Sequence, residues 1–172
     1  QISTDHVYKG KKLKLKNEKS KIFAVNKYAK TKILAEKYLK KLKKFLIIRT
    51  NFTGKKKDAF IDWLIKSIRA KKKINLFHDM YTSTLDGNSC AKIIIDLASI
   101  KSKGIYNLGS RSMISKKNFA INVSKNLKKK MQYKSVSCDI QKISRGKNLG
   151  LNVNKIEKKI GYKMPTINQS IM

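Results

Sequence analysis

Proline occurs once in 172 residues, where average usage of about 5% would supply roughly eight or nine. That scarcity excludes collagen-like, proline-rich and polyproline II architectures. Cysteine occurs twice, as Cys90 and Cys138. Two isolated thiols give no C-x-x-C and no metal-ligand spacing, so no metal site is expected and reduced thiols are. The longest purely apolar runs are Phe45-Leu46-Ile47-Ile48 and Ile93-Ile94-Ile95, far below the roughly 20 residues that span a bilayer. No membrane association is expected. The eight glycines form neither G-x-G-x-x-G nor a relaxed version of it, so this stretch of chain lacks the turn that cradles a dinucleotide pyrophosphate. No targeting segment is visible, which makes the cytoplasm the default location. The chain opens at Gln1, inside an apolar-to-polar transition, as expected of a fragment whose N-terminal part is missing.

Positive charge is abundant. Lys and Arg total 42 against 10 Asp and Glu, a formal net charge of +32. Such a balance suggests nucleic acid, but arginine stands only at Arg49, Arg69, Arg111 and Arg145. Readers of base edges and phosphates favour the bidentate guanidinium. The lysines are spread along the chain, and Lys, Ile and Asn together are what A/T-rich codons encode. The charge therefore reads as a solvated lysine surface whose field attracts anions, phosphates included. A basic nucleic-acid-binding module using residues 9–21 and 125–130 is the rival reading from another class. With 41% hydrophobic residues a core can form, and the length suits one domain or a little more.

Apolar runs alternate with helical periodicities. Gln1-Ile2-Ser3 reads as the tail of a strand, and residues 9–21 as a lysine-rich loop. From Asn26 to Lys43 the period is helical, with Leu34, Ala35, Tyr38, Leu39 and Leu42 on one stripe. Phe45 to Arg49 suits a buried parallel strand. Helices are expected over Asp58–Ala70, Asn88–Ile100, from an N-cap at Ser115, and over Asn154–Ile160 closed by Gly161. Ile74–Phe77 and Gly104–Gly109 read as further strands. This alternation predicts an α/β fold with a mostly parallel sheet, with too few strong strands for a complete doubly wound one.

Tyr28 and Lys32 are four residues apart on the first helix, hence one turn apart on one face. A phenol is a weak acid, and an adjacent ammonium favours its phenolate. Such a pair can exchange a proton with a carbonyl or hydroxyl undergoing redox. Thr4, ending the preceding strand, offers a hydroxyl to the same oxygen. A Tyr and a Lys at this spacing also arise by chance in a lysine-rich chain. The surrounding segments read Ser3-Thr4-Asp5-His6-Val7-Tyr8-Lys9-Gly10, Asn26-Lys27-Tyr28-Ala29-Lys30-Thr31-Lys32 and Arg49-Thr50-Asn51-Phe52-Thr53-Gly54. They resemble the S-T-D-Y-V-F-x-G, N-x-Y-G-x-[ST]-K and R-T-x-W-x-[YF]-G motifs of extended short-chain dehydrogenase/reductases, in particular the dTDP-4-dehydrorhamnose reductases and related sugar-nucleotide reductases. Downstream, Asp79–Thr84, Gly104–Ser110, Ser115–Ala120 and Arg145–Leu151 resemble later segments of the same family, in order. The family's usual prolines are absent at Ser83 and Gly146 and before Asn26, and Phe52 stands in place of Trp.

The resemblance implies the C-terminal part of a Rossmann-type parallel sheet with a smaller α/β substrate-binding domain. Residues 1–70 would be the C-terminal half of the dinucleotide-binding, catalytic domain. Residues 71–172 would be mainly substrate-binding, some of them returning to the Rossmann sheet, and the glycine-rich N-terminal half would be absent. The implied catalytic residues are Thr4, Tyr28 and Lys32, with Tyr28 and Lys32 also holding NADPH or NADH. Thr4, Asp5, Asn51 and Phe52 would line the sugar pocket, and Arg145, with Lys147, would meet the nucleotide diphosphate. His6 and His78 read as structural. The implied activity is reduction of the 4-keto group of a nucleotide-activated deoxysugar, the substrate being the main partner, and a homodimer is left open. An epimerase or dehydratase, or a non-catalytic regulatory subunit, would share the fold.

Overall fold

The structure, a computed structural model, describes residues 1–10, 13–54, 59–141 and 145–170. The first half of the chain supplies β1 (Ile2–Thr4), α1 (Lys27–Leu39), β2 (Leu46–Thr50), β3 (Phe52–Thr53), α2 (Phe60–Arg69) and β4 (Ile74–Phe77). Then come β5 (Tyr81–Thr82), β6 (Leu85–Asp86), α3 (Gly87–Ser99), β7 (Gly104–Leu108), β8 (Ile114–Ser115) and α4 (Lys116–Asn126). β9 (Tyr133–Val136), β10 (Asn148–Leu149) and α5 (Asn154–Ile160) complete it.

β2 is the centre of a parallel sheet in the order β1-β2-β7, with Ile48 opposite both Ile2 and Tyr106. A parallel sheet needs cover on both faces, and the apolar run of β2 is buried accordingly. Ile48, Tyr106 and Leu108 pack with Ile93 and Leu97 of α3 and Ile156 of α5 in one core. A second core joins Leu64 and Ile68 of α2, Ile74 and Leu76 of β4, and Phe119 and Val123 of α4. β4 pairs in parallel with β9, β3 with β6, and β5 lies between β10 and β8.

Local chemistry sets the helix ends. The side chains of Asn26, Asp86 and Ser115 accept the backbone N–H groups of Ala29 (2.9 Å), Ser89 (2.8 Å) and Asn118 (3.1 Å), the usual N-cap bonds. Gly161 closes α5 at φ 82°, a left-handed position that favours glycine. The Ser115 cap and the span of α5 are as the sequence predicts.

The face of α1 is not. Leu34, Tyr38 and Leu42 are exposed, while the buried residues of the helix are Ala29 and Glu36. α1 docks on β1 and the turn after it, and the inward position is a carboxylate neutralised by buried Arg49. An ion pair, not the apolar stripe, orients the helix. The helix also ends at Leu39 instead of running to Lys43. Within residues 9–21 the described part is strapped down, with Lys16 bridging Leu151 and accepting Asn152 N–H at 2.8 Å. Asp58, expected to start the second helix, lies outside the described residues. No helix among the described residues is long and apolar enough to cross a membrane.

Candidate active site

β1 and β2 end side by side at Thr4 and Thr50, at the carboxyl edge of the parallel sheet, where ligands bind in open α/β folds. There the chain leaves Thr4 in a 3-10 turn, Asp5–Val7, capped by the Thr4 hydroxyl, which accepts His6 N–H at 3.3 Å. The same hydroxyl makes a long hydrogen bond to Asp5 Oδ1 at 3.3 Å. Asp5 is fully buried. Its Oδ2 accepts Asn51 Nδ2 at 3.0 Å, and Asn51 Oδ1 accepts the Thr84 hydroxyl at 2.5 Å. Burial pushes the Asp5 carboxyl above the usual carboxylate range, against the pull of His6, Asn51 and Lys116. Thr4, Asp5 and Asn51 are thus one cluster. Phe52, the next residue along, is 58% exposed and makes no ring contact among the described residues.

The N-terminal turn of α1 lies against that 3-10 turn. Tyr28 is 52% exposed, and the His6 ring meets it edge-on at 6.3 Å between centroids. Lys32 places its ammonium 5.9 Å from the centre of the Tyr28 ring and donates to the Ile2 carbonyl at 3.1 Å. An ammonium has three donors, and among the described residues the Ile2 carbonyl occupies one of them. Tyr28 and Lys32 are therefore together, next to the segment that begins at Thr4.

A second cluster holds this arrangement. Glu36, one turn after Lys32, accepts Ser3 Oγ at 2.7 Å, Arg49 Nε at 2.9 Å and Arg49 Nη2 at 2.5 Å. Arg49 Nη1 donates to Tyr8 Oη at 2.9 Å, and Tyr8 Oη donates to Asn107 Oδ1 at 2.7 Å. The ion pair lowers the Glu36 carboxyl pKa in spite of burial, and raises that of Arg49.

Two residues at the site have no site role in the sequence reading: His6, read there as structural, and Lys116. His6 puts Nε2 4.0 Å from Asp5 Oδ1, and its Nδ1 is buried with no hydrogen-bond partner among the described residues. Burial lowers the His6 pKa; Asp5 opposes this, while Arg145 and Lys116 add to it. Lys116, the first residue of α4, holds its ammonium 4.9 Å from the Phe60 ring centre and 6.0 Å from that of Phe119. Burial lowers its pKa too, and Asp5 pushes it back up. Nothing local marks Lys116 among so many lysines. Arg145 is exposed and within electrostatic reach of both His6 and Lys116, but it is not bonded to the Thr4 or Tyr28 groups. Lys147, expected beside it, is instead clamped between Asp79 (3.0 Å) and Asp139 (2.6 Å), so its charge is already matched.

The parallel sheet β1-β2-β7 with its flanking helices is an α/β fold, and Tyr28 and Lys32 stand beside the exit of its first strand. The chain belongs to the family described as RmlD substrate binding domain, whose profile matches residues 1–172. Among solved structures, the dTDP-4-dehydrorhamnose reductase of Bacillus anthracis, in complex with NADP, superposes with a TM-score of 0.91 at 23% identity, over 99% of this chain and 62% of that one. The dTDP-4-dehydrorhamnose reductase ortholog of Clostridium acetobutylicum gives 0.89 at 18% identity, over 99% and 62%. MoeE5 in complex with UDP-glucuronic acid and NAD gives 0.80 at 16% identity, over 99% and 60%. The chain thus spans about three fifths of the length of these proteins. No curated protein sequence matches it.

Proposed function

We propose that this chain carries the catalytic side chains and the substrate-binding region of an NAD(P)H-dependent reductase acting on the 4-keto group of a nucleotide-activated deoxysugar. The observation that carries the reading is the Tyr28–Lys32 pair set against the exit of β1, where Thr4, Asp5 and Asn51 converge. NADPH or NADH, when bound, supplies the hydride. The residues present fit its nicotinamide end: among the described residues Lys32 commits one donor, to the Ile2 carbonyl, which leaves the others for ribose hydroxyls, and Tyr28 is accessible beside it. The pyrophosphate end has no glycine-rich turn in this stretch of sequence. Residues 1–70 would be the catalytic half of the dinucleotide-binding domain, and residues 71–172 mainly the substrate side.

Each group then has a defined task. Tyr28 gives its phenolic proton to the carbonyl oxygen as that oxygen becomes an alkoxide. Lys32 stabilises the phenolate left behind and is itself oriented by the Ile2 carbonyl. Thr4 adds a hydroxyl at the same oxygen, and Asp5 and Asn51 fix the sugar's orientation. Phe52 offers the pocket an apolar wall, and Arg145 a guanidinium for the diphosphate.

The test is NADPH-dependent reduction of a dTDP-4-keto-6-deoxyhexose by the polypeptide carrying this chain, with and without Tyr28→Phe. Turnover should fall by about 10²–10⁴-fold while NADPH binding is retained. Undiminished turnover overturns the mechanism.

A further inference from the structure

The S-T-D-Y-V-F-x-G motif that Ser3 to Gly10 resemble has a tyrosine where this chain has His6. A phenol, which near neutrality can only give a proton, is replaced by an imidazole, which can take one. The structure puts that imidazole between the two hydroxyls assigned to the carbonyl oxygen. The His6 backbone N–H donates to the Thr4 hydroxyl at 3.3 Å, and the His6 ring meets the Tyr28 ring edge-on at 6.3 Å between centroids. A ketone whose oxygen lies between Thr4 and Tyr28 brings one of the carbons flanking its carbonyl to the His6 side.

The two ring nitrogens are not equivalent. Nε2 faces Asp5 Oδ1 at 4.0 Å, and Asp5 is itself fixed by Thr4 and Asn51. A carboxylate on that side favours the tautomer with its proton on Nε2, which leaves Nδ1 a bare lone pair. Nδ1 is buried and has no hydrogen-bond partner among the described residues. Burial holds the ring in its neutral, proton-accepting form, and the charges of Lys116 and Arg145 act in the same direction, against the pull of Asp5.

We propose that His6 is a general base that gives this site a second activity, enolisation of the keto sugar at one carbon beside the carbonyl. This rests on the nucleotide-sugar reading for the substrate and goes beyond reduction. Nδ1 takes the hydrogen of that carbon as a proton. The C–H electron pair becomes the second bond to the carbonyl carbon, and the C=O pair moves onto oxygen, where the Tyr28 and Thr4 hydroxyls hold the enolate. Return of a proton to the same carbon restores the ketone. Nothing is oxidised or reduced, and the nicotinamide is not consumed. Lys116 and Arg145 repel the intervening imidazolium, and the 15% of the His6 side chain open to solvent lets its proton exchange with water.

The test separates this step from hydride transfer. The polypeptide carrying this chain is incubated in deuterium oxide with oxidised NADP and a dTDP-4-keto-6-deoxyhexose, and proton NMR follows the hydrogens on the two carbons flanking the carbonyl. One should be replaced by deuterium faster than without protein, the other at the protein-free rate. His6→Tyr, which installs the residue of the family motif, should slow that exchange by about a hundredfold or more, and His6→Gln serves with the same criterion if the first variant does not fold. Exchange at the protein-free rate at both carbons, equal acceleration at both, or exchange in a folded variant within about twofold of the parent overturns the proposal. Reduction of the same sugar by the parent with NADPH is assayed alongside. Reduction without exchange overturns the enolisation and leaves the Tyr28 mechanism standing, exchange without reduction upholds it and overturns that mechanism, and absence of both overturns the two together.

Discussion

Two sets of buried polar groups meet at β1. In the first, Ser3, Tyr8, Glu36, Arg49 and Asn107 answer one another, and the one full positive charge faces one full negative charge. In the second, Thr4, Asp5, Asn51 and Thr84 are bonded in a chain, yet among the described residues His6 Nδ1 and the Lys116 ammonium have no hydrogen-bond partner. A closed network of this kind holds α1 at a fixed place on the sheet. An open one leaves directional capacity for a molecule that is not protein. The contrast separates residues whose loss should lower stability from residues whose loss should lower affinity or rate.

Mutation can break that contrast. The largest stability effect is expected at Arg49→Met, which strands the Glu36 carboxylate in the interior; a loss of about 3–5 kcal/mol should appear in urea or thermal unfolding. Tyr28→Phe, at an exposed position, should leave the same unfolding curve unchanged although it removes the proton donor. Next comes Thr84→Val, which deprives Asn51 Oδ1 of its donor and should cost about 1–3 kcal/mol. A smaller loss of stability, diminishing with added salt, is expected at Lys147→Met, between two surface carboxylates.

The open cluster should also show in the pH dependence of stability. His6 titrates below its ordinary value because it is buried. Between its folded and unfolded pKa values the unfolded chain binds more protons, so this residue makes stability rise with pH up to about 6.5. Asp5, raised by burial, acts in the opposite sense, and its contribution falls as pH climbs above about 3.9. Melting temperatures across this range should lose the rising component in His6→Gln and the falling component in Asp5→Asn.

What could be read from the sequence was local. The apolar run of β2, the cap at Ser115, the glycine stop at Gly161 and the four-residue spacing of Tyr28 and Lys32 are written within a few positions of each other. The inward face of α1 was misread because the deciding contact joins Glu36 to Arg49 on another element, and a carboxylate does not advertise burial. Two-residue strands such as β3, β5 and β10 are too short to show a period. Lys116 and Arg145 converge only because β8 and β10 flank β5, a pairing no local pattern encodes.

Arg49 has a consequence for how this sequence can drift. The composition is strongly biased towards lysine over arginine, and at most surface sites the exchange of arginine for lysine costs little. At position 49 it would replace a planar fork, which reaches Glu36 through two nitrogens and Tyr8 through a third, with a single ammonium that fits one of them. Composition can wander freely around this site, but the Tyr–Lys helix keeps its seat only while that one guanidinium resists the bias.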